Sequence, residues 1–353
     1  MDKHKEIIKG YPIEELEAKM VAIGQPAFRG RQLFSWIYSK KESDFSNMTD
    51  MNKEFRGYLA DNYSLPTLKV VDEQHSTDGT AKYLVQLADG EKVESVFIPT
   101  EDRATLCVST QVGCKMACTF CATGYQKFTR DLKAWEIVEQ LTSIKFPKPV
   151  TNVVMMGMGE PFDNYDEVIK ALKILQHPMG VALGKRHITV STVGLNHNIS
   201  RFVDANLGKL AISLHGTTDE QRSKLMPINK KYPIKSLMDV CRNLNFKGKL
   251  RVTFEYILFA GLNDSDEDAY RLIELVKGIP NKINLLAYNE NDFIDFKRPS
   301  EERILRFQNI LLAHNLTATY RKSRGRDIAA ACGQLKTLKT KRPMVGVGSP
   351  TLH

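Results

Sequence analysis

The chain has 353 residues, of which 50 are Lys or Arg and 41 are Asp or Glu, so its formal net charge is +9. This length exceeds a single small module and allows a large catalytic domain with smaller appendages. The basic excess favours a polyanionic partner such as nucleic acid, although a basic enzyme without such a partner would have the same composition. No apolar run approaches the roughly 20 residues that cross a bilayer, and the first residues lack the apolar stretch of a secretory signal, so we expect a cytoplasmic protein without membrane contact.

The first 100 residues contain two kinds of pattern. Apolar positions at helical spacing, broken by a turn over 24–26, predict an N-terminal helical module over 1–64. Shorter strand-like runs follow, with a hairpin signal at Asp89 and Gly90, and they predict an antiparallel β extension over 65–100. The sequence therefore predicts a helical module joined to a β-hairpin extension.

Over residues 101–320, strand-sized apolar runs alternate with helix-sized amphipathic runs about six times. Such alternation predicts an α/β fold, a partial (β/α)6 barrel whose functional groups lie at the C-terminal ends of parallel strands. The remaining residues, 321–353, form a basic C-terminal segment. On charge alone, this segment is either a solvated tail or a surface that contacts phosphates.

Three of the six cysteines, Cys114, Cys118 and Cys121, have C-x3-C-x2-C spacing in a loop directly after a predicted strand. A closed zinc site needs four protein ligands, and no nearby Cys or His supplies the fourth. An iron–sulfur cubane held by three cysteines leaves one iron open to a small molecule. The spacing, with Phe120 before the last cysteine, is typical of enzymes that bind a [4Fe-4S] cluster and S-adenosylmethionine at that open iron.

Loops after the predicted strands carry groups that such a cofactor needs. Gly159 and Glu160 lie in MGMGEP, where glycine lets a ligand approach the backbone and the carboxylate can accept hydrogen bonds from the ammonium group of the cofactor. Ser191 and Thr192 end HITVST, and Ser213, Leu214 and His215 lie at the end of LAISLHG. Each of these groups alone is also typical of an ordinary capped turn, so their common position at the catalytic rim is the informative feature.

The cysteine loop, GMGEP, SLH, SKLMPIN and AACGQL occur in this order. With them the chain resembles, over nearly its whole length, the RlmN and Cfr family of radical S-adenosylmethionine RNA adenine methyltransferases. LCVSTQVGC, IGQPAFRGRQLFSWIY, and Phe162 and Asn164 after GMGEP are more similar to the RlmN branch, which methylates carbon 2 of adenine. The Cfr branch methylates carbon 8 and confers antibiotic resistance, and its GEA in place of GEP is not seen here.

The resemblance implies two molecules of S-adenosylmethionine per turnover and a set of cofactor contacts. These contacts are Gly159, Glu160, Ser191, Ser213, Leu214, His215 and Asn289. The stretch after Asn289 departs from the family pattern, because it lacks the proline that usually follows.

The resemblance also implies a covalent route that needs two further cysteines. Cys332 would carry the methyl group as S-methylcysteine, and Cys107 would attack the sulfur of Cys332 to release the product and leave a transient disulfide. Glu94, thirteen residues before Cys107, would accept a proton. Cys241 matches no functional position, and we expect a buried structural thiol there.

The implied substrates are an adenosine in the peptidyl-transferase centre of 23S rRNA and the adenosine next to the anticodon in tRNA. We expect a monomer that receives electrons from a donor such as flavodoxin or ferredoxin. Charge alone motivates the candidates for phosphate contacts. These are Arg29, Arg31 and Lys40 in the helical module, and Arg321, Lys322, Arg324 and Arg326 near the C-terminus.

Three alternatives stay open at this point. Cfr-like methylation of carbon 8 would use the same residues. A zinc-stabilised RNA-binding protein without catalysis would account for the three spaced cysteines but would leave Cys107 and Cys332 unexplained. A radical enzyme that acts on protein or small molecules would make the basic charge and the AACGQL motif incidental.

Overall fold

The computed structural model describes residues 5–248, 250–290 and 294–337. The expectations for residues 291–293, and for the part of the basic segment after residue 337, lie outside these ranges. The described chain forms an N-terminal helical region and a ten-stranded sheet with flanking helices. In these ranges no helix is long and apolar enough to cross a membrane.

The N-terminal region has the helices that its apolar spacing predicts. Its elements in chain order are β1 (Glu6–Ile7), α1 (Ile13–Ala22), α2 (Phe28–Tyr38), α3 (Lys53–Asn62) and β2 (Tyr63–Ser64). Strands β1 and β2 pair in parallel and join the two ends of this region. Helices α1 and α2 cross at Gly30, where an added Cβ would lie 2.6 Å from the backbone nitrogen of Glu17. Glycine is therefore required at this crossing.

The antiparallel extension continues the main sheet. Strands β3 (Lys69–His75), β4 (Ala81–Gln86) and β5 (Lys92–Pro99) are antiparallel neighbours, and β5 pairs with β6 (Ala104–Cys107). The turn between β4 and β5 contains the predicted hairpin residue Gly90, at φ +89°. Because β6 belongs to the parallel part of the sheet, the extension and the barrel share one continuous layer.

The cysteine loop leaves the sheet on a short ribbon, which is formed by β7 (Gln111–Val112) and β8 (Arg130–Asp131). The parallel strands after it are β9 (Asn152–Met155), β10 (Ile188–Thr192), β11 (Lys209–Ser213), β12 (Val252–Leu258), β13 (Asn281–Ala287) and β14 (Ala318–Arg321). The helices are α4 (Ala134–Thr142), α5 (Tyr165–Gln176), α6 (Asn196–Ala205), α7 (Asp219–Leu225), α8 (Ile234–Arg242), α9 (Asp266–Val276) and α10 (Glu301–Ala313).

The sheet order is β14-β13-β12-β11-β10-β9-β6-β5-β4-β3, and its two edges are β3 and β14. The partial barrel with six βα units is confirmed, since helices follow each parallel strand from β6 to β13. Strand β14 is a seventh parallel strand that the sequence did not predict. It lies at an edge and only Ala318 is buried, so its sequence lacks the apolar run of the inner strands.

The inner strands are buried because helices cover the sheet; all seven residues of β12 are buried, for example. The expected structural thiol, Cys241, is fully buried in α8. Since β6 and the strands from β9 to β14 run in parallel, their carboxyl ends meet at one edge of the barrel. The sequence-predicted site residues that end or follow these strands therefore lie at that edge.

Candidate functional site

The three spaced cysteines line one side of a cavity at the carboxyl ends of the strands, which we call the first cavity. Ser191, Thr192, Ser213 and His215 line its other side, with the glycine loop after β9. The cysteine loop is fixed to α7, because the backbone nitrogen of Thr119 donates to the Leu225 carbonyl at 2.9 Å. The side chains of the cysteine motif thus face the strand-end loops that the sequence singled out.

The chemistry of these thiols fits an iron–sulfur cluster. Burial raises the pKa of Cys114, Cys118 and Cys121, so a bound metal must supply the positive charge that favours the thiolates. Among the described residues, no three His, Cys, Asp or Glu side chains are placed to share one metal ion. A cubane does not need such convergence, because each cysteine binds a different iron.

The glycine loop after β9 brings a carboxylate to the first cavity. The Glu160 side chain is buried and accepts hydrogen bonds from the backbone nitrogens of Phe162 at 3.0 Å and Val193 at 2.9 Å. Gly159 has φ +100°, and an added Cβ there would lie 2.6 Å from Cβ of Gln111. Burial raises the pKa of Glu160 to about 7. A cationic ligand beside this group would favour the ionised form.

His215 has a left-handed backbone, with φ +54°, at the end of LAISLHG. Its Nδ1 accepts a hydrogen bond from the Ile257 backbone nitrogen at 3.1 Å. Burial, and secondarily the charge of Arg222, lower the pKa of His215 to about 3. The imidazole is therefore neutral near pH 7, with its proton on Nε2. A positive φ is uncommon in residues other than glycine, and such strained residues cluster at active sites, so the backbone of His215 agrees with a functional position.

Two of the expected cofactor contacts are placed differently from the others. The Leu214 side chain is fully buried in the core, and its backbone nitrogen donates to the Glu255 carbonyl at 3.0 Å. Asn289 Nδ2 donates to the Cys332 carbonyl at 3.4 Å. Within the described chain, neither residue is among those that line the first cavity. A cofactor contact from Leu214 would therefore come from its backbone.

The segment that carries Cys332 lies across the cysteine loop. The Gly333 carbonyl accepts from the backbone nitrogen of Ala122 at 2.7 Å, and Thr123 Oγ1 donates to the Leu335 carbonyl at 2.8 Å. A second anchor ties the segment to the turn between β3 and β4, where Ser76 Oγ donates to Asp327 at 2.6 Å. These bonds hold Cys332 beside the loop of the three spaced cysteines.

Cys332 is exposed and lies where the first cavity meets a second one. Cys107, at the end of β6, lines the second cavity only. Burial, and then the neighbouring Cys332, raise the pKa of the Cys107 thiol. Met156, Glu255 and Leu286 also border both cavities. The structure therefore brings Cys107 and Cys332 to one cavity and Cys332 and the three spaced cysteines to the other.

Glu94 lies behind the C-terminal segment. Its carboxylate pairs with Lys82 Nζ at 3.2 Å and accepts from the Lys336 backbone nitrogen at 2.8 Å, and burial raises its pKa. Strand pairing places Val96 opposite Cys107, so Glu94, two residues before Val96, lies on the same face of the sheet as Cys107. In the described chain, Glu94 is not among the residues that line either cavity.

The candidate phosphate contacts fall into two groups. Arg321, Lys322 and Arg324 line the second cavity, together with Arg103, so the mouth of that cavity is basic. Lys322 also pairs with Glu301 at 3.3 Å, and Arg324 donates to the Pro99 carbonyl. The candidates in the helical module likewise have partners within the protein. Arg29 donates to Gln32 at 2.8 Å, Arg31 pairs with Glu17, and Lys40 Nζ lies 3.2 Å from the Trp36 ring centroid. Arg326 is exposed and is not among the described residues that line either cavity.

Sequence reasoning missed three residues at this site. Glu255 borders both cavities, and the available signal was a lone carboxylate within the apolar strand VTFEYIL. Arg103 lines the second cavity from the turn before β6 and gave no signal, because single surface arginines are common. Arg222, directly before SKLMPIN, is fully buried and donates to the carbonyl of Val193, which lines the first cavity.

Comparisons with known proteins agree with this geometry. Residues 108–273 match the radical SAM superfamily, and residues 8–65 match the ribosomal RNA large subunit methyltransferase N-terminal domain. The dual-specificity RNA methyltransferase RlmN of Geobacter sulfurreducens is 47% identical over 329 residues, which cover 93% of this chain and 91% of that protein. The RlmN of Geotalea uraniireducens is 45% identical, over 93% of this chain and 96% of that protein.

A solved structure has the same fold. The crystal structure of a radical SAM methyltransferase from Sphaerobacter thermophilus superposes with a TM-score of 0.87 at 43% identity, and the match covers 94% of this chain and 99% of that one. The resemblance seen in the sequence motifs is confirmed by these matches, and the main interpretation is favoured over its alternatives. The chain therefore belongs to the RlmN family of radical S-adenosylmethionine methyltransferases.

Proposed function

We propose that this enzyme methylates carbon 2 of an adenosine in 23S rRNA and in tRNA, with Cys332 as the methyl carrier. The position of Cys332 at the meeting point of the two cavities carries this proposal. The first cavity contains the cysteines that suit a cluster, and the second contains Cys107 and a basic mouth. The RlmN relatives, whose names specify dual-specificity RNA methylation, support the choice of substrate.

Family membership implies a [4Fe-4S] cluster and S-adenosylmethionine. We assign cluster binding to Cys114, Cys118 and Cys121, one iron for each. When bound, the cluster supplies the electron that cleaves S-adenosylmethionine to a carbon radical able to take a hydrogen atom. Glu160 would accept hydrogen bonds from the ammonium group of the cofactor, and the strand ends opposite would bind the rest of the molecule. The proposed contacts are Gly159, next to Glu160 in the same loop, and Ser191, Ser213, Leu214, His215 and Asn289 at or after the other strand ends.

The methyl carrier is needed because carbon 2 of adenine is electron-poor and does not attack a sulfonium methyl group. The Cys332 thiolate would first take a methyl group from one S-adenosylmethionine, which leaves as S-adenosylhomocysteine. Its S-methyl group would then lose a hydrogen atom towards the first cavity and form a bond to carbon 2 of a base in the second cavity. The border position of Cys332 suits both steps without a long movement.

Release of the product would use Glu94 and Cys107. Glu94 would take the proton from carbon 2 once the adduct has lost one electron, for which the oxidised cluster would be the acceptor, and this role requires the Lys336 contact to open. The Cys107 thiolate would then attack the sulfur of Cys332, so that the sulfur–carbon bond breaks and its electron pair stays on the methylene carbon, which takes a proton. The resulting disulfide needs an external thiol reductant before the next turnover.

The RNA would enter through the basic mouth of the second cavity. Reaching carbon 2 requires the adenine to leave its stack, which is least costly in loops and single strands. Phosphates near the base would contact Arg321, Lys322 and Arg324, and the helical module would contact RNA farther away through Arg29, Arg31 and Lys40. Arg326 is an outer contact in the same proposal. We further propose a cytoplasmic monomer that receives electrons from a flavodoxin or a ferredoxin.

The proposal is tested by anaerobic reconstitution with iron and sulfide, followed by incubation with reductant, S-adenosylmethionine and unmodified 23S rRNA or tRNA. Mass spectrometry and chromatography of the nucleosides then identify the product. We expect 2-methyladenosine. A yield of 8-methyladenosine would assign the enzyme to Cfr-like chemistry, and an intact cluster without methylated RNA would contradict the substrate.

The RNA path is tested by charge reversal. Arg321→Glu and Arg324→Glu change the mouth of the second cavity, and Lys231→Glu changes an exposed cation elsewhere as a control. We expect the first two variants to bind RNA more weakly and to reduce the salt dependence of binding, since each removes a phosphate contact. Full affinity with an unchanged salt slope would contradict the proposed path.

A further inference from the structure

Arg222 is a fully buried cation beside the first cavity. Its side chain is 0% exposed in α7, and Nη1 donates to Asn229 Oδ1 at 2.8 Å and to the Tyr232 carbonyl at 3.3 Å. Nη2 donates to the carbonyls of Val193 at 2.6 Å and Ser213 at 3.4 Å. All these acceptors are neutral oxygens. Within the described residues, no carboxylate lies within ion-pair distance of this guanidinium.

A buried cation without an ion-pair partner is costly to retain. Burial lowers the pKa of Arg222 only to about 10, so the group is charged near pH 7. Two of its carbonyl partners lie at the ends of β10 and β11, because Val193 directly follows β10 and Ser213 is the last residue of β11. A structural clamp on two strand ends would explain the hydrogen bonds, but a neutral side chain could form some of them at lower cost. The retained charge therefore requires a separate explanation.

The charge is held at a fixed position relative to the cysteine loop. Helix α7 ends at Leu225, whose carbonyl accepts from the Thr119 backbone nitrogen at 2.9 Å, and Thr119 Oγ1 donates to the Lys224 carbonyl at 2.9 Å. Thr119 directly follows Cys118. The positive charge of Arg222 acts to lower the pKa of Cys118, which favours the thiolate. It also acts to lower the pKa of His215, which favours the neutral imidazole. The guanidinium is thus bonded to the carbonyls of Val193 and Ser213, two residues that line the first cavity together with the proposed cluster ligands.

We propose that Arg222 is a positioning residue that raises the reduction potential of the cluster held by Cys114, Cys118 and Cys121. This inference rests on the cluster assignment made above. A cubane with three thiolates is anionic, and it becomes more so when it takes one electron from the external donor. A fixed cation in a buried, weakly screened site stabilises the more negative state, and no bond forms or breaks at Arg222.

Three substitutions separate charge from structure. Arg222→Gln removes the charge. Arg222→Lys keeps the charge but lacks the planar guanidinium and its five donors. Lys224→Gln, the control, removes an exposed charge from the same helix. The reconstituted holoenzymes are titrated with reductant, without RNA, and the midpoint potential is followed by electron paramagnetic resonance. We expect a more negative midpoint in Arg222→Gln, a midpoint near wild type in Arg222→Lys, and no shift in Lys224→Gln.

A wild-type midpoint in Arg222→Gln, at full iron and sulfide content, would overturn the inference. Equal negative shifts in Arg222→Gln and Arg222→Lys would also overturn it, because they would assign the effect to lost hydrogen bonds. If Arg222→Gln fails to hold a cluster, Arg222→Met replaces it. This change also removes the charge while keeping a long side chain in the buried position, so we expect a negative shift there too, and no shift would contradict the inference. Failure of the wild-type chain to assemble a cluster would instead contradict the proposed function.

Discussion

Cys107 at the end of β6 and Cys332 on the C-terminal segment line the same cavity, although they come from opposite ends of the barrel sequence. Only Cys332 also borders the cavity of the three spaced cysteines. The two thiols therefore have unequal access to the two sites. This asymmetry agrees with a division of labour in which Cys332 carries the methyl group and Cys107 releases the product.

Replacement of Cys332 should separate catalysis from cluster assembly. Cys332→Ala should abolish RNA methylation and leave the iron and sulfide content at the wild-type level, because this thiol is not proposed to bind iron. The free energy of unfolding should change by less than about 0.5 kcal/mol, since the side chain is exposed. Cys118→Ala is the matched variant and should lose the cluster. Loss of iron in Cys332→Ala, measured by elemental analysis, would contradict this division.

Replacement of Cys107 should trap the product. In Cys107→Ala no thiolate can attack the sulfur of Cys332, so the methylated base should stay covalently attached to the enzyme. Labelled RNA should then migrate with the protein on a denaturing gel, and Cys107→Ala combined with Cys332→Ala should remove that band. Release of free methylated RNA by Cys107→Ala at the wild-type rate would show that another group resolves the adduct.

Glu160 should contribute mainly to cofactor affinity. Glu160→Gln keeps the shape of the side chain but removes the carboxylate, and a charge-assisted hydrogen bond contributes about 1.5–3 kcal/mol. Binding of S-adenosylmethionine to the reconstituted enzyme should therefore weaken by roughly ten-fold to a hundred-fold, as measured by calorimetry. The control variant Asp166→Asn removes a carboxylate from α5, where the side chain is 87% exposed. It should bind S-adenosylmethionine with wild-type affinity. Equal affinities for all three proteins would exclude the proposed contact.

His215 should make the protein less stable in mild acid. Its pKa is lowered from 6.5 to about 3, so the unfolded chain takes up the proton first, and stability falls as the pH drops below about 6.5. Asparagine tolerates the left-handed backbone and can accept the hydrogen bond from Ile257. Between pH 7.5 and 5.5, urea unfolding should show wild type losing about 1.4 kcal/mol relative to His215→Asn.

The surface change His314→Asn serves as the control for that comparison, because His314 is exposed. An unchanged difference between wild type and His215→Asn across this pH range would mean that the imidazole is not held neutral in the folded protein.

The parts of the site that the sequence predicts are local. The three spaced cysteines occupy one loop, and each strand-end motif combines a strand with the loop after it, so spacing and alternation suffice to group them. The meeting of Cys107 and Cys332 depends on how the C-terminal segment crosses the barrel, and no local pattern specifies that path. The family resemblance was the only guide to this pair.

Residues whose role depends on tertiary surroundings could not be predicted. Arg222 lies in a helix rich in charged residues, and its burial depends on carbonyl groups at the ends of two separate strands. Strand β14 was missed because an edge strand needs few apolar residues. The position of Asn289, which contacts the Cys332 carbonyl, likewise depends on the fold of the C-terminal segment.

The central claim is that the methyl group passes through Cys332 and loses a hydrogen atom there. The most direct measurement uses S-adenosylmethionine with a trideuterated methyl group and follows deuterium in the products of the reconstituted enzyme by mass spectrometry. The account predicts that 2-methyladenosine retains two of the three deuterium atoms and that the third appears in 5′-deoxyadenosine. Retention of all three in the methylated base would indicate direct transfer and would contradict the account.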